Sequence, residues 1–266
     1  MRFDRFIQRC RAEWPEFGDS SRLEKSRHPA TRDLSGVLTR VSGMATENKL
    51  KLLNCAVASL DAGEVYVEVG CYKGASLVGA AAGNPEPRIY ACDNFSQFDG
   101  AAEALGTVLA QFTRPGQVEF HDLDFREFMA LAPWHPAKIG AYFYDGGHSF
   151  ADQYDGIRYA LPHLADDSLI IIDDTNKRAA RSADALIARQ VPGFELILNL
   201  RTPKNHHPTW WNGIQVYRYR AQGPIDSAAL AGASFTARKL IYDDFFLNLK
   251  HRRRALRAKL KHSFKH

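Results

Sequence analysis

The stretch VYVEVGCYKGAS, residues 65–76, constrains the fold of this chain more than any other. Val65, Val67 and Val69 are β-branched and lie between Asp61-Ala62-Gly63 and Gly70, which predicts a short buried strand. Glu68 stands at the strand's end, and Gly70 and Gly74 open the loop that follows. Ser76 then leads into the small-residue helix expected over 77–82. A strand that turns through glycine into a helix brings bare backbone close to a ligand, because glycine lacks the Cβ that would block the approach.

The rest of the chain repeats this alternation. Strands are expected at 64–70, 87–93, 117–123, 139–145 and 168–174, with helices at 75–83, 98–112, 124–131 and 150–164. Apolar strands alternating with helices predict a parallel sheet covered on both faces. Two further strands, 194–200 and 213–219, are joined by a polar loop without a helical pattern, so an antiparallel hairpin should close the sheet. The fold class expected is α/β, a doubly wound seven-stranded and mostly parallel sheet with an antiparallel closing strand. Phe3, Phe6, Ile7 and Trp14 suggest one N-terminal helix. A second should run from Thr46, its cap, to Leu60, with Leu50, Leu53, Val57 and Leu60 on one stripe. A last helix over about 240–262 would align Phe245, Leu249, Leu256 and Leu260.

A chain of 266 residues with 45% hydrophobic content is consistent with one globular core. No apolar run approaches the roughly 20 residues that cross a bilayer, and the charged N-terminus lacks a secretory h-region. Cys10, Cys55, Cys71 and Cys92 show no paired spacing, so reduced thiols and a cytoplasmic location are expected. The net charge of +5 is a property of the tail: eight Lys or Arg from Lys250 onward leave residues 1–249 at −3. A general nucleic-acid surface is therefore not expected. The basic tail could instead dock on anionic membrane or a partner protein, or pack as a solvated helix.

Two ligand classes use a glycine turn of this kind, dinucleotides and S-adenosylmethionine. The dinucleotide fingerprint needs glycine two and five residues after the first, where this chain has Tyr72 and Ala75. Glu68 would also repel a pyrophosphate, whereas it suits a ligand carrying an ammonium group. Asp93, about twenty residues after the loop, is placed to accept ribose hydroxyls in either class. Asp124 could reach an adenine amino group, and Phe125 could supply an apolar face.

Ligands of open α/β sheets bind beyond the carboxyl ends of the strands. Those ends are acidic in all five cases: Glu68, Asp93, Asp122 with Asp124, Asp145, and Asp173 with Asp174. Three carboxylates converging at Asp145, Asp173 and Asp174 would repel unless a cation lay between them, and hard oxygen ligands suit Mg²⁺ or Ca²⁺. His148, in DGGHSF, could then take a proton from a hydroxyl nucleophile. Specificity should come from residues 1–43, 94–100, 176–181 and 202–212. In the last of these, Trp210 and Trp211 are either core or a wall for a sugar or aromatic ring.

These residues resemble the class I S-adenosylmethionine-dependent methyltransferases, and within them the metal-dependent small-molecule O-methyltransferases of catechol and macrocin type. EVGCYKGAS is similar to their first motif. YDGGHSFADQYDGIRYALPHL followed by LIIIDD is similar to the block that supplies metal ligands and base, and TWWNGIQVYRY to the closing strand. The resemblance spans roughly residues 44–220, leaving 1–43 as a helical appendage and 221–266 as an extension. It implies that Gly70, Tyr72 and Ser76 hold the methionine end of the cofactor and Asp93 the ribose. It also implies Asp145, Asp173 and Asp174 as Mg²⁺ ligands, His148 as base, and a small-molecule hydroxyl as acceptor. The catechol enzymes carry lysine at the base position and an Asp-Asn pair, so His148 and Asp173-Asp174 lean toward the macrocin-like group. A nucleotide-dependent oxidoreductase or hydroxylase-like relative on the same fold, and a non-catalytic binding protein, remain the rival readings. A homo-oligomer is open.

Overall fold

The chain alternates between strand and helix, and among the described residues seven strands join in one sheet. They are β1 (Glu64–Val69), β2 (Ile89–Cys92), β3 (Val118–His121), β4 (Lys138–Tyr144), β5 (Leu164–Ile172), β6 (Phe194–Leu200) and β7 (Ile214–Arg220). The computed structural model describes residues 1–86 and 88–247. Strand order is β3-β2-β1-β4-β5-β7-β6. The first five strands pair in parallel, and β7 lies antiparallel between β5 and β6. The fold class and all seven expected strands are therefore present.

The helices are α1 (Phe3–Glu13), α2 (Ser20–Leu23), α3 (Ser35–Arg40), α4 (Glu47–Val57), α5 (Ala75–Ala81), α6 (Ala101–Phe112), α7 (Phe125–Leu131), α8 (Phe150–Ala160), α9 (Arg178–Gln190) and α10 (Ala233–Lys239). A π-helical turn, Leu240–Leu247, follows the last. Because strand side chains alternate with period two, the buried strands feed two separate cores. Tyr66, Ala141, Phe143, Leu169 and Ile171 pack with Leu52, Leu53, Leu77 and Leu105 on one face. Val65, Val67, Tyr142, Tyr144, Ile170 and Ile172 pack with Phe128, Phe150 and Ile187 on the other.

Three departures from expectation have physical causes. Helix α9 fills the 176–193 interval, where no helix was expected. Its buried face is Ala180, Ala183, Asp184, Leu186 and Ile187, so alanines and an aspartate mask the apolar stripe. The C-terminal helix begins at Ala233 rather than at 240, and the stripe of Leu249, Leu256 and Leu260 lies outside the described residues. The N-terminal 43 residues add α2 and α3, and Phe6, Cys10, Trp14, Phe17 and Leu23 lie in the same core cluster as the sheet. Thr46 caps α4 as expected, its side chain accepting from the Lys49 amide. All four cysteines are buried and unpaired. No helix of the described residues is long and apolar enough to cross a membrane.

Candidate functional site

The chain runs outward from β1 in one direction (to β2, then β3) and from β4 in the other, so their carboxyl ends form the crevice where the strand order reverses. Gly70 makes that crevice possible. Its φ is +83°, and a Cβ there would collide with the Asp145 carbonyl, so the β1 and β4 loops touch backbone to backbone. A cavity of about 390 Å³ opens above this contact. Gly70, Tyr72, Asp93, Asp124 and Phe125 line it, and so do Asp145, His148, Asp173 and Asp174. Nine of the twelve residues singled out in the sequence thus face one space.

The other three lie beneath it. Glu68 is fully buried, accepting from Tyr66 Oη at 2.7 Å and from Ser76 Oγ, while Gly74 starts α5 in the left-handed conformation. Burial pushes the Glu68 carboxyl up to about 7, against the hydrogen bonds from Ser76 and Tyr66 that favour its charge. Glu68 supports the loop from below and does not line the cavity. Asp93 is tied to the same loop: its Oδ2 accepts from the Tyr72 amide at 2.8 Å and its Oδ1 from the Phe95 amide at 2.9 Å. Asp124 caps α7, accepting from the Arg126 amide, so a helix-capping role accompanies any ligand contact.

Tyr72, Asp174 and Trp211 all carry positive φ (48°, 58° and 54°) and all line the cavity. Non-glycine residues held in this region concentrate where the surroundings fix a functional geometry. The two tryptophans part company. Trp210 is fully buried and donates to the Leu23 carbonyl at 2.8 Å, so it belongs to the core. Trp211 faces the cavity beside His206, with ring centroids 4.9 Å apart.

His148 Nε2 donates to Asp174 Oδ2 at 2.8 Å, and Nδ1 has no partner. Asp174 also receives Lys177 Nζ at 2.5 Å and the Asn212 amide. Burial opposes its charge, but the hydrogen bond and charge of His148, followed by those of Lys177, hold its carboxyl well below the usual range.

The feature that the sequence reading missed is Lys49. Its side chain is 1% exposed, and its ammonium contacts Asp173 Oδ2, the Met44 carbonyl at 3.2 Å and Asp145 Oδ2 at 3.5 Å. Burial lowers a lysine's affinity for its proton, but the charges of Asp173 and Asp145 outweigh it here, and Lys49 stays protonated. Asp145 is pushed well above the carboxylate range by burial and then by Asp173, against the pull of Lys49. Four residues before Leu53 on α4, Lys49 occupies a position that helical periodicity turns toward the sheet. A lysine on an apolar stripe was the available signal.

The three carboxylates read as Mg²⁺ ligands do not fit such an ion as arranged. Both oxygens of Asp174 are engaged by His148, Lys177 and Asn212, and Lys49 holds Asp173. Among the described residues, no group of three or more His, Cys, Asp or Glu has the geometry to hold a metal.

Residues 67–175 match the family described as a methyltransferase domain. Similar folds occur in a cofactor-bound protein from MTB, at TM-score 0.55 and 16% identity over 71% of this chain and 90% of that one. A protein from Corynebacterium glutamicum follows, at TM-score 0.53 and 15% identity over 74% and 91% of the two chains. A candidate caffeoyl-CoA O-methyltransferase from Staphylococcus aureus aligns at TM-score 0.53 and 13% identity over 71% and 90%. No curated protein matches the chain.

Proposed function

We propose that this chain, whose residues 67–175 match a methyltransferase domain, transfers a methyl group from S-adenosylmethionine to a hydroxyl oxygen of a small molecule. The observation that carries the reading is the convergence, in one 390 Å³ cavity, of the Gly70 loop and Asp93 with the His148–Asp174 pair. The loop and Asp93 suit a nucleoside, with Asp93 accepting the ribose hydroxyls and Phe125 flanking the base. Tyr72 and Phe98, 4.7 Å apart, wall the same side. Met44, Lys177 and Trp211 line the remaining wall, which would receive the acceptor.

The acceptor oxygen attacks the sulfonium methyl in line; the new C–O bond forms as the C–S bond breaks, and the hydroxyl proton goes to His148. With Nε2–H donated to Asp174, the imidazole lone pair is on Nδ1, which is buried and engaged by no protein group. Asp174 stabilises the imidazolium that results, as a buried aspartate does for a catalytic histidine. Orientation and exclusion of water contribute the rest.

Calorimetry tests the reading. S-adenosylmethionine should bind and NAD⁺ should not; the reverse would sink the proposal. Asp93→Ala frees the Tyr72 and Phe95 amides and should weaken cofactor binding at least about tenfold, from two lost charge-assisted hydrogen bonds. His148→Ala should leave that affinity within about twofold while lowering S-adenosylhomocysteine formation, over a panel of hydroxylated acceptors, by roughly 10²–10⁴.

A further inference from the structure

Carboxylates gathered at the ends of two neighbouring strands require a compensating positive charge, and in this chain the charge is covalently attached. Lys49 reaches from α4 to the ends of β4 and β5, and its ammonium is directed at Asp173, Asp145 and the Met44 carbonyl. A lysine ammonium has three N–H donors, and three acceptors surround this one. The ring of Phe143 lies 5.9 Å beneath, closing the site from the core. A divalent ion would need about six oxygen ligands and would have to lie against that ammonium. One buried carboxylate oxygen, Asp173 Oδ1, is left without a partner, which leaves room for one further donor, not for a coordination shell.

We infer that Lys49 is the resident cation of this site, standing where a divalent metal would otherwise bridge Asp145 and Asp173, and that the carboxylates hold no metal while it is there. Lys49 is thereby a positioning residue. It keeps Asp145 beside the Gly70 loop and Asp173 beside Asp174, so the His148 partner stays in register. The inference depends on the methyl-transfer reading only for what the site does, since the occupancy of the carboxylates can be measured without turnover.

The experiment is Mn²⁺ titration followed by electron paramagnetic resonance, on the full chain, with S-adenosylmethionine calorimetry on the same samples. The wild-type protein should take up no more Mn²⁺ than the Asp145→Asn/Asp173→Asn double variant. Lys49→Gln, which removes the ammonium and leaves the carboxylates facing one another, should bind one Mn²⁺ at least about tenfold more tightly than wild type. It should also regain thermal stability when Mn²⁺ is added, a response that the wild type lacks. Stoichiometric Mn²⁺ uptake by the wild type that the double variant abolishes would overturn the inference. So would a folded Lys49→Gln protein that binds no more Mn²⁺ than wild type. Should Lys49→Gln not fold, the wild-type titration still decides. Loss of S-adenosylmethionine binding would count against the proposed function alone, and leave the Mn²⁺ result intact.

Discussion

Glu68 shows how a single residue can be marked by sequence and still act differently from the way its position suggests. Its place at the end of β1 reads as a ligand contact, yet Ser76 and Tyr66 take both its oxygens, and it holds the loop from inside. That burial has a pH signature. The carboxyl titrates at its ordinary 4.5 when unfolded and at about 7 when folded, with Lys49 lowering it and Asp93 raising it. Between those values the folded state carries the extra proton. The contribution to stability is complete below about 4.5, falls as pH rises, and is gone above about 7. The total change should be on the order of 3 kcal/mol. Chemical denaturation across that window should show the decline, and Glu68→Gln should remove its share of it; an unchanged slope in the variant would refute the assignment. Asp93, Asp145 and His148 were legible because each ends or follows a strand of clear pattern. Lys49 was not, because α4 reads as an ordinary amphipathic helix in which a lysine carries no motif.

Elements with an uninterrupted apolar pattern were legible, and those whose buried face is masked were not. Strands β4 and β5 announce themselves as apolar runs, whereas α9 hides an apolar face made largely of alanine. The C-terminal segment was expected as a helix, but its contact with α8 was not. Asp243 in the π-helical turn accepts from the Phe150 amide at 2.7 Å and the Ala151 amide at 2.9 Å. It thus supplements Ser149 at the start of α8, two residues after His148. Tyr242 stacks on Phe150, with centroids 5.7 Å apart. An acidic cap at a helix N-terminus contributes about 1 kcal/mol, so Asp243→Ala should lower the melting temperature by about 2–4 °C. Asp243→Asn, which keeps one acceptor, should lose less. Faster hydrogen exchange at the Phe150 and Ala151 amides in the alanine variant would locate the effect. Unchanged exchange there would show that the segment does not fasten the His148 loop.

At the scale of the whole molecule, the sequence suggests a separate appendage before residue 44, but the packing ties these residues to the sheet domain. Trp14 is 1% exposed, lies tilted against Trp210 with ring centroids 5.6 Å apart and donates from Nε1 to Asn48 Oδ1 at 3.0 Å. Asn48 in turn donates to the Thr209 carbonyl, so α1, α4 and the loop before β7 share one polar and aromatic junction. Lys49 is the next residue of α4, which links this junction to the cation at the carboxylates. Long-range contacts of this kind leave no local pattern, since Trp14 and Trp210 are nearly two hundred positions apart. Trp14→Ala removes a buried indole and strands the Asn48 acceptor, so it should cost about 3–5 kcal/mol. A free appendage would lose its own structure and leave the main unfolding transition where it was. A shared core predicts instead one cooperative transition displaced downward by about 6–20 °C, at about 2–4 °C per kcal/mol. Calorimetric scanning distinguishes the two outcomes, and a main transition that Trp14→Ala fails to move would separate the first 43 residues from the fold.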